Sequence, residues 1–81
     1  MVYKTFGTCS REINFDVVDG KLTNVSFVGG CNGNLQGIGK LVEGMDIDEV
    51  IARVEGIKCG ARQTSCPDQL AKALKQYKAE N

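Results

Sequence analysis

Histidine is absent from the 81 residues. That removes the usual cysteine–histidine pair of a nucleophilic site. It also means that any transition-metal site must rest on sulfur, with oxygen as the remaining help. Net charge is absent too, because 10 basic and 10 acidic side chains cancel. A nucleic-acid binder ordinarily carries a basic excess, so no nucleic-acid partner is expected. No apolar run approaches the roughly 20 residues of a membrane span, so no membrane partner is expected either. Lys4 is followed by no apolar stretch of the signal-peptide kind. The chain therefore reads as cytoplasmic, where thiols stay reduced. Repeats, linkers and low-complexity segments are missing, and residues 1–81 make one domain. A chain this small buries only roughly 60–65% of its unfolded surface, so its core is thin and a metal or disulfide is a common supplement.

What the chain does have is four cysteines, at Cys9, Cys31, Cys59 and Cys66. In a short reduced domain they read as ligands or redox groups rather than structural disulfides. The stretch 59–68 holds two of them together with Pro67, the single proline. Pro67 suits the first helical position, where its missing N–H costs nothing and its φ is already helical. Ser65-x-x-Asp68 is a capping-box pattern over the same turn. Either feature puts Cys66 at the positive end of a helix. That position, with Arg62 four residues upstream, favours a thiolate, which is both metal ligand and nucleophile.

The pattern predicts strands first and helices after. A short strand over 1–6 places Val2, Lys4 and Phe6 on one side. Residues 11–18 alternate, with Ile13, Phe15 and Val17 facing one way. Asp19-Gly20 is a hairpin signal, followed by a strand over 21–28 with Thr23, Val25 and Phe27 on one side. A two-residue loop would split the two apolar sets onto opposite faces. A three-residue loop with Gly20 left-handed in a bulge joins them, and is preferred for that reason. Asn32 or Asn34 caps a helix carrying Leu35, Ile38, Leu41 and Val42, with Gly37 and Gly39 available for close approach to the sheet. Gly44 ends that helix. Asp46-x-x-Glu49 caps a second, with Ile47, Val50, Ile51 and Val54 as its buried stripe, and Gly56 closes it. The last helix spans about 66–77, with Leu70, Ala73, Leu74 and Tyr77 inward. This order is an α+β, two-layer domain: an N-terminal three-stranded antiparallel sheet followed by three helices packed on one face.

All four cysteines fall in loops or at element ends, and Gly7, Gly29, Gly30, Gly33 and Gly60 crowd three of them. Glycine lets backbone N–H groups reach a sulfur, and such bonds tune clusters and hold thiolate ligands. The hairpin brings Cys9 and Cys31 to one end of the sheet. Cys66 joins them if the last helix starts at that end, with Cys59 as a fourth ligand. No Cys-x-x-Cys knuckle accompanies them. The same placement also fits four reduced cysteines acting as small loop or core residues.

Thr64-Ser65-Cys66-Pro67-Asp68 spells TSCPD. With Cys9-Ser10-Arg11-Glu12-Ile13, the run 29–34 and Cys59-Gly60, the chain resembles the small stand-alone TSCPD-domain proteins over essentially its whole length. Related domains lie at the C-terminus of cobalamin-dependent ribonucleotide reductases. The resemblance implies a ribonucleotide reductase, or another metalloenzyme, as partner, with nucleotide binding and DNA biosynthesis as context. A complete reductase needs a large barrel that this chain has no room for. Neither a GxGxxG nor a Walker phosphate loop is present. The chain is also similar to the U-type (IscU/NifU) iron–sulfur scaffold proteins. In that pattern the scaffold's three cysteines fall on Cys9, Cys31 and Cys66, and Leu70-Ala71 and Tyr77 follow in similar positions. The scaffold's acidic residue two after its first cysteine is Arg11 here, and its histidine is Ser65. Arg11 would offset thiolate charge rather than bind a cation.

Two functions follow. The first is a metal-binding module with Cys9, Cys31, Cys66 and Cys59 around zinc or an iron–sulfur cluster. Arg11 and Arg62 would balance the negative site, with Asn32 and Asp68 beside it. The second is redox, with Cys59 and Cys66 as a dithiol pair serving a reductase. Asp68 also reads as a first-turn helix charge, and Lys72, Lys75 and Lys78 as a solvated face.

Overall fold

The computed structural model describes residues 2–5, 10–30 and 32–80, and of Asn32 the backbone only. The elements run β1 (Val2–Lys4), β2 (Ser10–Val18), β3 (Lys21–Gly29), α1 (Asn32–Val42), α2 (Ile47–Val54) and α3 (Cys66–Glu80). The strands form one antiparallel sheet in the order β1-β2-β3. Helices cover its apolar face, which is the expected α+β arrangement. In β1 the inward residue is Tyr3, while Val2 and Lys4 are exposed, and Phe6 lies outside the described residues.

The hairpin corrects the expected register. Asp19 and Gly20 have φ of 52° and 76°, and Val18 pairs with Lys21, so the loop has two residues. Positive φ at both central positions is the type I′ signature, whose twist matches that of the strands. The extra residue lies inside β3 instead. Asp16 pairs with Thr23 but Asn14 with Ser26, and Asn24 sits between them at φ 54°. A bulge of this kind moves every later side chain to the other face. Leu22 thereby shares the core face with Val25 and Phe27, and Thr23 does not. Ile13 then stands opposite Phe27.

α1 returns along β3, and Gly39 is the point of contact. A Cβ there would stand 3.1 Å from the Val25 carbonyl oxygen, whereas one on Gly37 would meet nothing. Leu35 and Val42 are buried, but Leu41 is 78% exposed and not part of the stripe. Leu41 instead borders an open apolar groove of about 630 Å³ between α1 and α2, with Ile38, Met45, Val54, Ile57 and Pro67. Asn34 lies within the first turn of α1 and so is not its cap.

The 43–46 turn docks on the start of β3: Leu22 N–H donates to the Met45 carbonyl and Gly44 N–H to the Leu22 carbonyl. Asp46 caps α2 by accepting from the Asp48 amide at 3.0 Å. Glu49 does not complete the box; it pairs with Arg53 at 2.9 Å. Ile47 and Val50 are buried, and Ile51 and Val54 pack at the margin. α3 then crosses β2 with Leu70, Ala71, Ala73 and Leu74 fully buried, and Tyr77 meets Phe15 edge-on at 6.5 Å. Its lysines are paired rather than merely solvated. Lys75 meets Glu55 and Lys78 meets Asp48 of α2.

Candidate functional site

Both α1 and α3 begin at the end of the sheet opposite the hairpin. Ser10, the first residue of β2, pairs with Gly29, the last of β3, and α1 starts three residues later at Asn32. α3 enters the same region: Ser10 Oγ lies 3.1 Å from Cys66 Sγ. Two helix N-termini, each carrying partial positive charge, therefore converge there.

Ser65 is the N-cap of α3. Its carbonyl accepts from the Gln69 amide at 2.8 Å, and its Oγ accepts from the Asp68 amide at 3.1 Å. Cys66 is thus the first helical residue and Pro67 the second, one later than expected. Pro67 remains harmless there, because the second N–H of a helix is also without an intrahelical partner. Asp68 does not reach back to close the capping box. Its Oδ1 accepts from the Gly56 amide at 2.7 Å, and its Oδ2 accepts from the Thr64 hydroxyl and faces Lys72 at 3.7 Å. Thr64 Oγ1 in turn accepts from Gln69 Nε2 at 3.0 Å. Burial pushes the Asp68 carboxyl up. The Thr64 hydroxyl, the Gly56 amide and Lys72 together outweigh that and hold it below the usual carboxylate range.

Cys59 is exposed and Cys66 half-buried, and neither forms a disulfide. The Cys59 amide donates to the Thr64 carbonyl at 3.2 Å, and the Arg62 amide to the Cys59 carbonyl at 3.0 Å. Arg62 and Arg11 are both exposed. Arg11 is the extra residue where Ser10 pairs with Gly29 but Glu12 with Val28. The Arg11 carbonyl accepts from the Thr5 amide at 3.1 Å, and the Thr5 hydroxyl donates to the Ser10 carbonyl at 2.5 Å. Cys9, Cys31 and the Asn32 side chain lie outside the described residues. Among the described residues no group of three or more histidine, cysteine or carboxylate side chains stands close enough to hold a metal ion.

Three residues with a part here had no role in the sequence pattern. Ser10 adjoins Cys9, Thr64 opens the TSCPD run, and Gln69 follows it. Thr64 was marked only by its motif. Gln69 carried no signal, since a polar residue in a first helical turn is ordinarily solvated.

Residues 1–78 match the TSCPD domain family. No curated protein and no solved structure matches the chain. The likeness to the U-type scaffolds accordingly rests on the order of cysteines and elements alone. Among the described residues no helix is long and apolar enough to cross a membrane.

Proposed function

The chain belongs to the TSCPD domain family, and on that footing we propose that it is a small metal-binding module with a cysteine-thiolate site, accessory to ribonucleotide reduction. One observation carries this reading. The buried polar side chains among the described residues are Ser10, Ser65, Asp68 and Gln69, and all of them lie against Cys66 or within the 65–69 turn around it. A thin core does not ordinarily spend its interior on polar groups at one helix end unless that end is held for a purpose.

The donor chemistry fits a soft cation. Cys9 precedes Ser10 in the sequence, Cys31 follows Gly30, and Cys66 bonds Ser10. Cys59 hangs on Thr64 through its amide. Four thiolates would be the ligands and zinc the default occupant, with an iron–sulfur cluster as the other group such sulfurs accept. Two helix N-termini stabilise the negative charge, and Arg11 and Arg62 flank the ligands in sequence. The family's tie to ribonucleotide reductases supports a reductase as the partner in this reading.

Elemental analysis tests the proposal on protein purified anaerobically, under reducing conditions, with no added metal or chelator. One zinc or one cluster per chain is expected, lost in Cys66→Ser. A metal-free sample that is fully folded overturns it. The exposure of Cys59 favours the second reading, a dithiol pair with Cys66. A reversible Cys59–Cys66 disulfide in a glutathione buffer would select that reading. Four thiols released only by a chelator would select metal.

A further inference from the structure

The connection between α2 and α3 is irregular, and its residues 55–63 are all exposed. Such a segment, with few buried contacts, is ordinarily among the first parts of a domain to open. Here both of its stems converge on one carboxylate. Gly56, at the end of α2, donates its amide to Asp68, and Thr64, just before α3, donates its hydroxyl to the same group. Gln69 donates to the Thr64 oxygen, which leaves the hydroxyl proton to point at Asp68. Between the stems, the Cys59 amide closes on the Thr64 carbonyl. The backbone of Cys59 is therefore hung on Thr64, two residues before Cys66, while Asp68 stands two residues after it.

We propose that Thr64 and Asp68 are positioning residues that hold the loop bearing Cys59 against the start of α3, so that Cys59 and Cys66 keep one fixed arrangement. This rests on the proposed function only in taking the two thiols as the working groups. Asp68 acts on them through the loop stems that it bonds. The arrangement spares the site the entropy of closing a flexible loop when a soft cation is bound. It also gives each end of the TSCPD run a distinct role. Thr64 and Asp68 clamp the loop, Ser65 caps the helix, and Cys66 is the group they serve.

The test uses the full chain as purified, with Thr64→Val, Thr64→Ser and Asp68→Asn. Amide hydrogen exchange at Gly56 and Cys59 is measured alongside site-resolved alkylation of Cys59 and Cys66 by N-ethylmaleimide. Both readouts work whether or not a metal is present, so metal content and loop positioning fail independently. T64V and D68N should speed exchange at Cys59 about tenfold, the factor expected from one lost charged hydrogen bond, and D68N should do the same at Gly56. Both should change the ratio of the two alkylation rates severalfold, and T64S should restore the wild-type ratio. Folded T64V with wild-type exchange and an unchanged ratio overturns the proposal. Should D68N not fold, T64V against T64S decides, and faster exchange confined to Gly56 and Cys59, with the buried amides of α3 unchanged, separates release of the loop from a loss of overall stability.

Discussion

Burial and hydrogen bonding pull the Asp68 carboxyl in opposite directions, and hydrogen bonding wins. A carboxyl held below its unfolded value contributes stability above that value, about 3.9 for aspartate, and loses it as the pH falls through the folded value. Asp68→Asn should therefore cost about 1–3 kcal/mol at neutral pH, where a charged acceptor of two hydrogen bonds is weakened. The gap between wild type and D68N should hold steady from pH 7 to about 5 and shrink as the pH drops below about 4. Urea titrations at a series of pH values measure it. A gap that widens in acid contradicts the assignment. The importance of this residue was half visible in the sequence. Ser65 and Asp68 stand at capping distance, and Ser65 does cap α3. The partners of the carboxylate itself lie in the preceding loop, and Gly56 is twelve residues away with no pattern linking the two.

Local signals read best where the structure they specify is local. α2 follows its sequence pattern closely, because an Asp46 cap and four apolar positions at helical spacing need no distant partner. The hairpin needed long-range information. Face alternation demands one extra residue between Val17 and Val25, and it cannot say whether that residue belongs in the loop or the strand. Asp-Gly fits a two-residue turn, so Asn24 takes the bulge, held also by its side-chain amide donating to Asp16 Oδ2 at 3.1 Å. Asn24→Gly should leave stability nearly unchanged. Asn24→Val should lose about 1–2 kcal/mol, the cost of a left-handed conformation for a branched residue. Equal losses in the two variants would argue against the bulge. In α1 the two glycines separate cleanly. Gly37→Ala should stabilise by about 0.5–1 kcal/mol from helix propensity. Gly39→Ala should destabilise, because its methyl presses on the Val25 carbonyl oxygen at 3.1 Å and backbone yields little. Thermal melts of the pair decide; identical shifts would place α1 further from β3.

At the scale of the whole molecule, segments far apart in the chain meet where β2 begins and β3 ends. Ser10 and Cys66 are 56 residues apart and in contact. The sequence allowed that meeting through the hairpin but could not supply it, because it depends on how α3 crosses the sheet. Under the proposed function a shared cation cross-links four points spread along the sequence, Cys9, Cys31, Cys59 and Cys66. A strong chelator should then abolish the cooperative unfolding transition, because the metal-free chain does not hold its fold. Calorimetry with and without chelator measures it, and coincident curves would count against a structural role for the ion. The hairpin tip is at the other pole. Each of β2 and β3 has nine residues, so Asp19-Gly20 stands roughly 25–30 Å from Ser10 and Gly29. A fluorophore or affinity tag grafted at that tip would report on folding and partner capture from a distance, leaving the thiol chemistry undisturbed.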